Sequence, residues 1–194
     1  MNKIEEDFID SLNRINFIFR NEDLYTECIK EYKGFTIFGE KLGPFEKGKK
    51  YKLKFFLAVP FIKNDFLKVS QDDKCDNVDL QRFAIEERDD QRLVQREQQY
   101  FLNKIKEFHL FMEKEVNDNT KPQKFLDDFK SYFTSVLDSR LLKILRIAKT
   151  DLSLELEKRL TVSEHILYNH IYKKINIWRD FFLDSTGQKR MDTK

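Results

Sequence analysis

The spacing of apolar residues changes character partway along the chain. In the first seventy residues the apolar runs are short and alternate with polar ones. Ile15, Phe17 and Phe19 alternate with Asn16, Ile18 and Arg20, and Tyr51, Leu53 and Phe55 alternate with Lys52 and Lys54. A period of two belongs to a strand with one buried face, so strands are predicted over 15–19, 35–38 and 51–55, with a further short one at 67–69. Leu42-Gly-Pro-Phe45, closed by Gly48, lies between two of these runs. Proline suits the fixed dihedral of a turn there and glycine its positive φ. Ahead of the strands, Ile4, Phe8 and Leu12 recur every four residues and predict a short amphipathic helix over 5–12. The apolar run Phe56-Leu-Ala-Val-Pro-Phe-Ile62 predicts a short buried helix or turn.

Ser70 to Asn77 carries almost nothing apolar and reads as a linker. Beyond it the period lengthens to that of a helix. Asp76 or Asn77 is placed to cap a first helix from Val78, which the polar run Glu86 to Arg92 interrupts or leaves solvated. Helix resumes near Tyr100, where Phe101, Ile105, Phe108, Met112 and Val116 share a face. Thr120-Lys-Pro-Gln123 and Thr161-Val-Ser-Glu164 both have the form of a capping box. They predict helices over 121–149 and from 161 to about Leu183. The expected fold is α+β, mainly α: a small N-terminal antiparallel β module followed by an α-helical bundle. The expected divisions are a β module over 1–69 with its leading helix, a linker over 70–77, a helical domain over 78–184 and a polar tail over 185–194.

Composition sharpens this division. The 194 residues include only 5 Gly, four of them between Gly34 and Gly48, so the rest of the chain is short of the residues that break helices. The 27 aromatic residues (19 Phe, 7 Tyr, 1 Trp) argue against disorder despite a charged fraction of 36%. A net charge of +2 gives no global field toward nucleic acid or an anionic membrane. Cys28 and Cys75 form no CxxC, so reduced thiols are expected. The acidic amino terminus does not resemble a signal peptide, and no apolar run has the length of a membrane span. The expectation is a cytoplasmic protein with no membrane partner.

Two helices carry more apolar width than one face needs. On the 121–149 helix, Leu126, Phe129, Phe133, Val136, Leu137, Leu141 and Ile144 make one seam, which Phe125, Tyr132, Leu145 and Ile147 widen. On the last helix, Leu167, Ile171, Trp178 and Phe181 make another, with Ile166, Ile177 and Phe182 beside it. Phe129, Phe133, Val136, Arg140 and Ile144 on the first, with Ile171, Trp178 and Phe181 on the second, are the expected subunit interface, since exposed aromatic clusters mark interaction sites. The alternative is a compact monomer that buries them internally.

Catalytic constellations are not found. His165 and His170 are five apart and cannot chelate one metal as an i, i+4 pair does, and the glycines match no phosphate-binding loop. The Glu86 to Asp90 carboxylates alternate with arginine and read as a solvated face. No enzyme activity, cofactor or metal is expected. Two basic features remain. Six lysines and one acid lie between Lys41 and Lys54, with Lys47, Lys49, Lys50 and Lys52 as the candidates for nucleic-acid contact. Arg140, Lys143, Arg146 and Lys149 recur every third residue. The competing readings are lysines guarding a sheet edge and arginines paired with acids.

The segment Gly34-Phe-Thr-Ile-Phe-Gly-Glu-Lys-Leu-Gly-Pro-Phe-Glu-Lys-Gly48, followed by the strand Tyr51 to Phe55 and by Leu57-Ala58, resembles the β module of GINS subunits of the DNA-replication machinery. Phe125-Leu-Asp-Asp-Phe129, Asp138-Ser-Arg-Leu-Leu-Lys-Ile-Leu-Arg146 and Leu160-Thr-Val-Ser-Glu164 are similar to segments of that family's helical domain. Where family members carry a Pro-Leu-Trp-Leu-Ala type sequence, this chain has Phe55-Phe-Leu-Ala58. A β module ahead of the helical domain is the order of the partner of Sld five, subunits two and three, and of their single archaeal counterpart. The resemblance implies a non-catalytic subunit of a tetramer, either 2:2 with a partner of reversed domain order or, as in some archaeal complexes, a homotetramer. It also implies association with the MCM helicase and a RecJ-like Cdc-type companion, possible contact with primase, and weak or indirect DNA contact. The location it implies is the nucleoid, or the nucleus in a eukaryote.

Overall fold

A computed structural model of the chain describes residues 3–37 and 39–183. Among them the fold is α+β and mainly α: seven helices and a small antiparallel sheet near the N-terminus. The proposed tail over 185–194 lies outside the described residues.

The chain opens with α1 (Lys3–Arg20), a single helix where a short helix and a strand were expected. The alternation at 15–19 concealed a longer period. Phe8, Leu12, Ile15 and Phe19, spaced 4, 3 and 4, turn inward, while Phe17 and Ile18 face solvent. The strand that the reading missed, β1 (Asp23–Cys28), is the centre of the sheet. Its inward positions are Leu24, Thr26 and Cys28, so two of the three are residues that an apolar count passes over. Thr26 is fully buried and donates its hydroxyl to the Tyr51 carbonyl at 3.0 Å, which removes the cost of burying it.

β2 (Phe35–Ile37) and β3 (Glu40–Leu42) form a hairpin. At its base Gly34 and Gly43 approach so closely that a Cβ on Gly34 would lie 2.2 Å from the Leu42 carbonyl oxygen. Both have positive φ, so two glycines are required there. β4 (Lys50–Lys54) and β5 (Leu67–Val69) flank β1 in the order β4-β1-β5. Between them α2 (Phe55–Lys63) buries Phe55, Ala58, Val59 and Ile62.

The segment after Val69 is not a loose linker. Ser70 and Cys75 are buried, the Ser70 N–H donates to the Tyr25 carbonyl, and Asp73 accepts from the Tyr25 N–H and pairs with Lys104. The segment is therefore fastened on both sides. α3 (Asn77–Asp89) then starts at an Asp76 cap in a full capping box with Asp79.

The remaining helices are α4 (Phe101–Asn117), α5 (Gln123–Ile147), the short α6 (Leu154–Glu157) and α7 (Val162–Leu183). Thr120 does not cap α5. Its hydroxyl donates to the Glu115 carbonyl and closes α4, leaving Pro122 at the α5 cap position. At α7 the Glu164 carboxylate accepts from the Thr161 N–H at 2.8 Å and from its hydroxyl at 2.9 Å, which is half of the expected box.

One apolar core runs through both halves of the chain. It joins Phe19, Leu24, Leu53 and Phe55 to Leu80, Phe108, Phe129 and Val136. The Phe55 ring sits 6.2 Å from that of Phe108 and 5.9 Å from that of Phe111. A second, smaller core around Leu93, Ile144, Ala148, Leu160 and Tyr168 lies beneath α7.

Candidate interaction surface

The α5 residues expected at a subunit interface lie in the chain's own interior. Phe129 and Val136 are 0% exposed and Arg140 and Ile144 1%, while Phe133 packs half-buried against the first core. The aromatic seam of α5 is consumed by its own neighbours, because α3 and α4 pack on it as well as α7, while Leu137, Leu141, Leu142 and Leu145 stay exposed.

Arg140 holds this junction together. Its Nε and Nη2 donate to the Glu164 carboxylate at 2.6 and 2.8 Å, and its Nη1 to Glu87 at 2.8 Å. The other two N–H groups go to the Val94 and Arg159 carbonyls at 3.0 and 2.9 Å. Burial alone would lower the guanidinium pKa; the Glu164 and Glu87 carboxylates outweigh it and hold the group above its usual range. Lys143 donates to the Glu87 side chain at 2.6 Å and to the Arg92 carbonyl. The first two cations of the expected basic stripe are thus interior, and only Arg146 and Lys149 reach solvent. The stripe is not available to phosphate as a unit.

The expected α7 residues have a different environment. α5 and α7 run side by side in the same direction: Glu164 meets Arg140, the Tyr168 hydroxyl donates to the Thr150 carbonyl, and the Tyr172 hydroxyl to Asp151. α5 stops at Ile147, opposite the middle of α7, and α7 continues to Leu183. On the other flank α1 reaches α7 where the Phe8 ring lies 5.0 Å from that of His170. Ile171 and Ile175 therefore pack against the second core, whereas Trp178 is 63% and Phe181 77% exposed.

Ile177, Phe182 and Leu183 are exposed beside them. The Trp178 and Phe182 rings lie 5.2 Å apart and those of Phe181 and Phe182 5.1 Å apart, so they form one cluster. It continues into a shallow groove lined by His170, Ile171, Lys174, Ile175 and Trp178. Exposed apolar side chains also stand in a row on α5 at Leu137, Leu141 and Leu145, and on α1 at Phe17 and Ile18. The α1 pair was missed because those residues had been assigned to a strand.

The lysine turn is largely neutralised. Lys49 pairs with Glu46 at 2.7 Å, Lys50 with Asp72 at 2.6 Å, and Lys52 and Lys54 both with Asp23, at 3.0 and 2.7 Å. Hydrogen bonds from Lys54 and Lys52 hold the Asp23 carboxyl below its ordinary range. Lys47 is exposed and makes no ion pair among the described residues. β4 is an edge strand with Lys50, Lys52 and Lys54 outward, the arrangement by which sheets discourage edge-to-edge pairing.

A cavity of about 780 Å³ lies between residues 71–76, α3, residues 95–98 and α4. Its cations are already engaged. Arg96 is stacked between Phe83 and Phe101 and bonded to Glu86 and Glu87, and Lys104 is paired with Asp73. Burial pushes the Cys75 thiol at its edge up to about 12, which keeps it from acting as a nucleophile at neutral pH. Among the described residues no group of three or more His, Cys, Asp or Glu is placed to hold a metal ion, and no helix is long and apolar enough to cross a membrane. Compared with known proteins, the chain matches no protein-family model and no curated protein by sequence.

Proposed function

We propose that the chain is a non-catalytic assembly subunit of a GINS-like complex that associates with the replicative MCM helicase and activates it. The observation that carries this reading is the aromatic cluster at the end of α7, where Trp178, Phe181 and Phe182 are exposed together. Clustered exposed apolar side chains mark protein interfaces. The resemblance over Gly34 to Ala58, and a β module preceding the helices, supply the family. The companions in this reading are a GINS subunit of reversed domain order, the MCM helicase, a RecJ-like Cdc-type protein and primase. Activation requires contacts that favour the active helicase state, which shift the population toward it.

The competing reading, a freestanding nucleic-acid-binding module built on Lys41 to Lys54, loses support from the ion pairs that occupy Lys49, Lys50 and Lys52. The test is the mass in solution of the purified chain, alone and co-expressed with a subunit of reversed order. A 2:2 assembly is expected, and a monomer of 23.6 kDa that ignores every such partner overturns the reading. Tight, steeply salt-dependent binding of DNA by the isolated chain would favour the competing module.

A further inference from the structure

The end of α7 is tied back by Arg179, whose Nη1 donates to the Lys149 carbonyl at 2.8 Å, yet Ile177, Trp178, Phe181, Phe182 and Leu183 stay exposed among the described residues, and the sequence narrows what can cover them. The stretch Asp184-Ser-Thr-Gly-Gln-Lys-Arg-Met-Asp-Thr-Lys194 has Met191 as its one large apolar side chain and offers no apolar face of its own. The charge of a partner that would cover the patch is indicated by its rim. From Lys173 to Leu183, α7 carries Lys173, Lys174 and Arg179 against the single acid Asp180, and the neighbouring end of α5 adds Arg146 and Lys149. None of these five cations pairs with a carboxylate among the described residues; Lys173, Lys174, Arg146 and Lys149 are exposed, and Arg179 is half-buried with one N–H on the Lys149 carbonyl. The exposed acids Glu6, Asp7 and Asp10 lie on α1, which meets α7 at His170, and none of them pairs with these cations among the described residues.

We infer that the exposed end of α7 is a docking face for an amphipathic helix of a different protein, one that presents an apolar face to Trp178, Phe181 and Phe182 and glutamate or aspartate on its flanks. A second copy of the same surface would bring the same basic rim, and like charges set against each other weaken such a contact. Lys174 lies in the groove between His170 and Trp178, where a flanking carboxylate of the incoming helix can pair with it. The inference rests on the reading of the chain as an assembly subunit and adds the chemistry of the partner at that surface.

Trp178 is the only tryptophan of the chain and sits in the patch, so its fluorescence reports occupancy directly. The experiment titrates the full chain with a synthetic helical peptide bearing a leucine and phenylalanine face and glutamate flanks, and with its twin bearing lysine flanks. The expected result is a saturable shift of Trp178 emission to shorter wavelength, with the glutamate peptide bound at least about tenfold more tightly and the preference shrinking as salt rises. The double variant Lys174→Glu, Arg179→Glu should reverse the preference, with far-ultraviolet circular dichroism showing that it folds. Equal binding of the two peptides, or no shift with either, overturns the inference. So does an emission shift of the chain alone that grows with concentration alongside a dimer mass, which would make the occupant a second copy. Should the chain enter a 2:2 assembly while Trp178 keeps the emission of a water-exposed indole, this inference fails and the assembly reading stands. A monomer that ignores every partner subunit yet prefers the glutamate peptide has the opposite meaning.

Discussion

Arg140 donates all five of its N–H groups inside the protein, to two carboxylates and two carbonyls. Removing it leaves Glu164 buried without its cation. Arg140→Met is expected to lose about 3–5 kcal/mol of stability in urea or guanidinium melts. Arg140→Met with Glu164→Gln should recover part of that, because no unpaired charge remains. Asp76 supplies a pH dependence. Burial would raise its pKa, but hydrogen bonds from Lys74 and from the Asp79 and Val78 N–H groups outweigh burial and hold it below 3.8. A carboxylate with a lowered folded-state pKa contributes stability above its unfolded pKa and loses it as the pH falls through the folded value. The stability gap between wild type and Asp76→Asn should therefore be widest near neutrality and close as the pH falls below the ordinary carboxylate range and through the lowered folded-state pKa. Burial raises the thiol pKa of Cys28 as well as that of Cys75, and both are buried. A disulfide-exchange reagent should label neither in the native state and both after unfolding.

At the scale of elements, α5 and α7 are distinguished by what surrounds them. α5 has neighbours on several sides, and α7 outlasts its neighbour by about three turns. Phe129→Ala should cost about 3–5 kcal/mol, the penalty of a cavity in a close-packed core. Trp178→Ala should change stability by no more than about 0.5 kcal/mol, as for a surface position, while abolishing partner binding. The paired melts and binding curves of these two variants check that α5 is interior and α7 the interaction face.

At the scale of the molecule, the β module and the helices are not separate folding units, because Phe19, Leu53 and Phe55 share a core with Phe108 and Phe129. The full chain should unfold in one cooperative transition. A fragment over 77–183 should lack the sharp, dispersed amide spectrum of a packed domain, since it loses the aromatic residues that cover α4. Much of this architecture is written locally. The 3.6 period of Phe101 to Val116, the Asp76 cap and the alternation of Tyr51 to Phe55 each act within a few residues, and those elements are read from the sequence, whereas Leu42, expected in a turn, belongs to the strand that pairs with Phe35. The strand at Asp23–Cys28 escaped because its inward side chains include Thr26 and Cys28, which become core only once the Tyr51 carbonyl and the rest of the sheet are in place.

The helix at 15–19 escaped because Phe17 and Ile18 are apolar yet exposed. Nothing local says which apolar residues a helix will bury. The candidate surface divides in the same way. That α5 and α7 carry too much apolar width for one face was determined by the sequence alone. Which of their apolar residues stay exposed, the aromatic cluster on α7 and a row of leucines on α5, was decided only by tertiary packing. The parallel pairing of Glu164 with Arg140 sets where α5 ends against α7, and that long-range register leaves Trp178, Phe181 and Phe182 beyond the last neighbour.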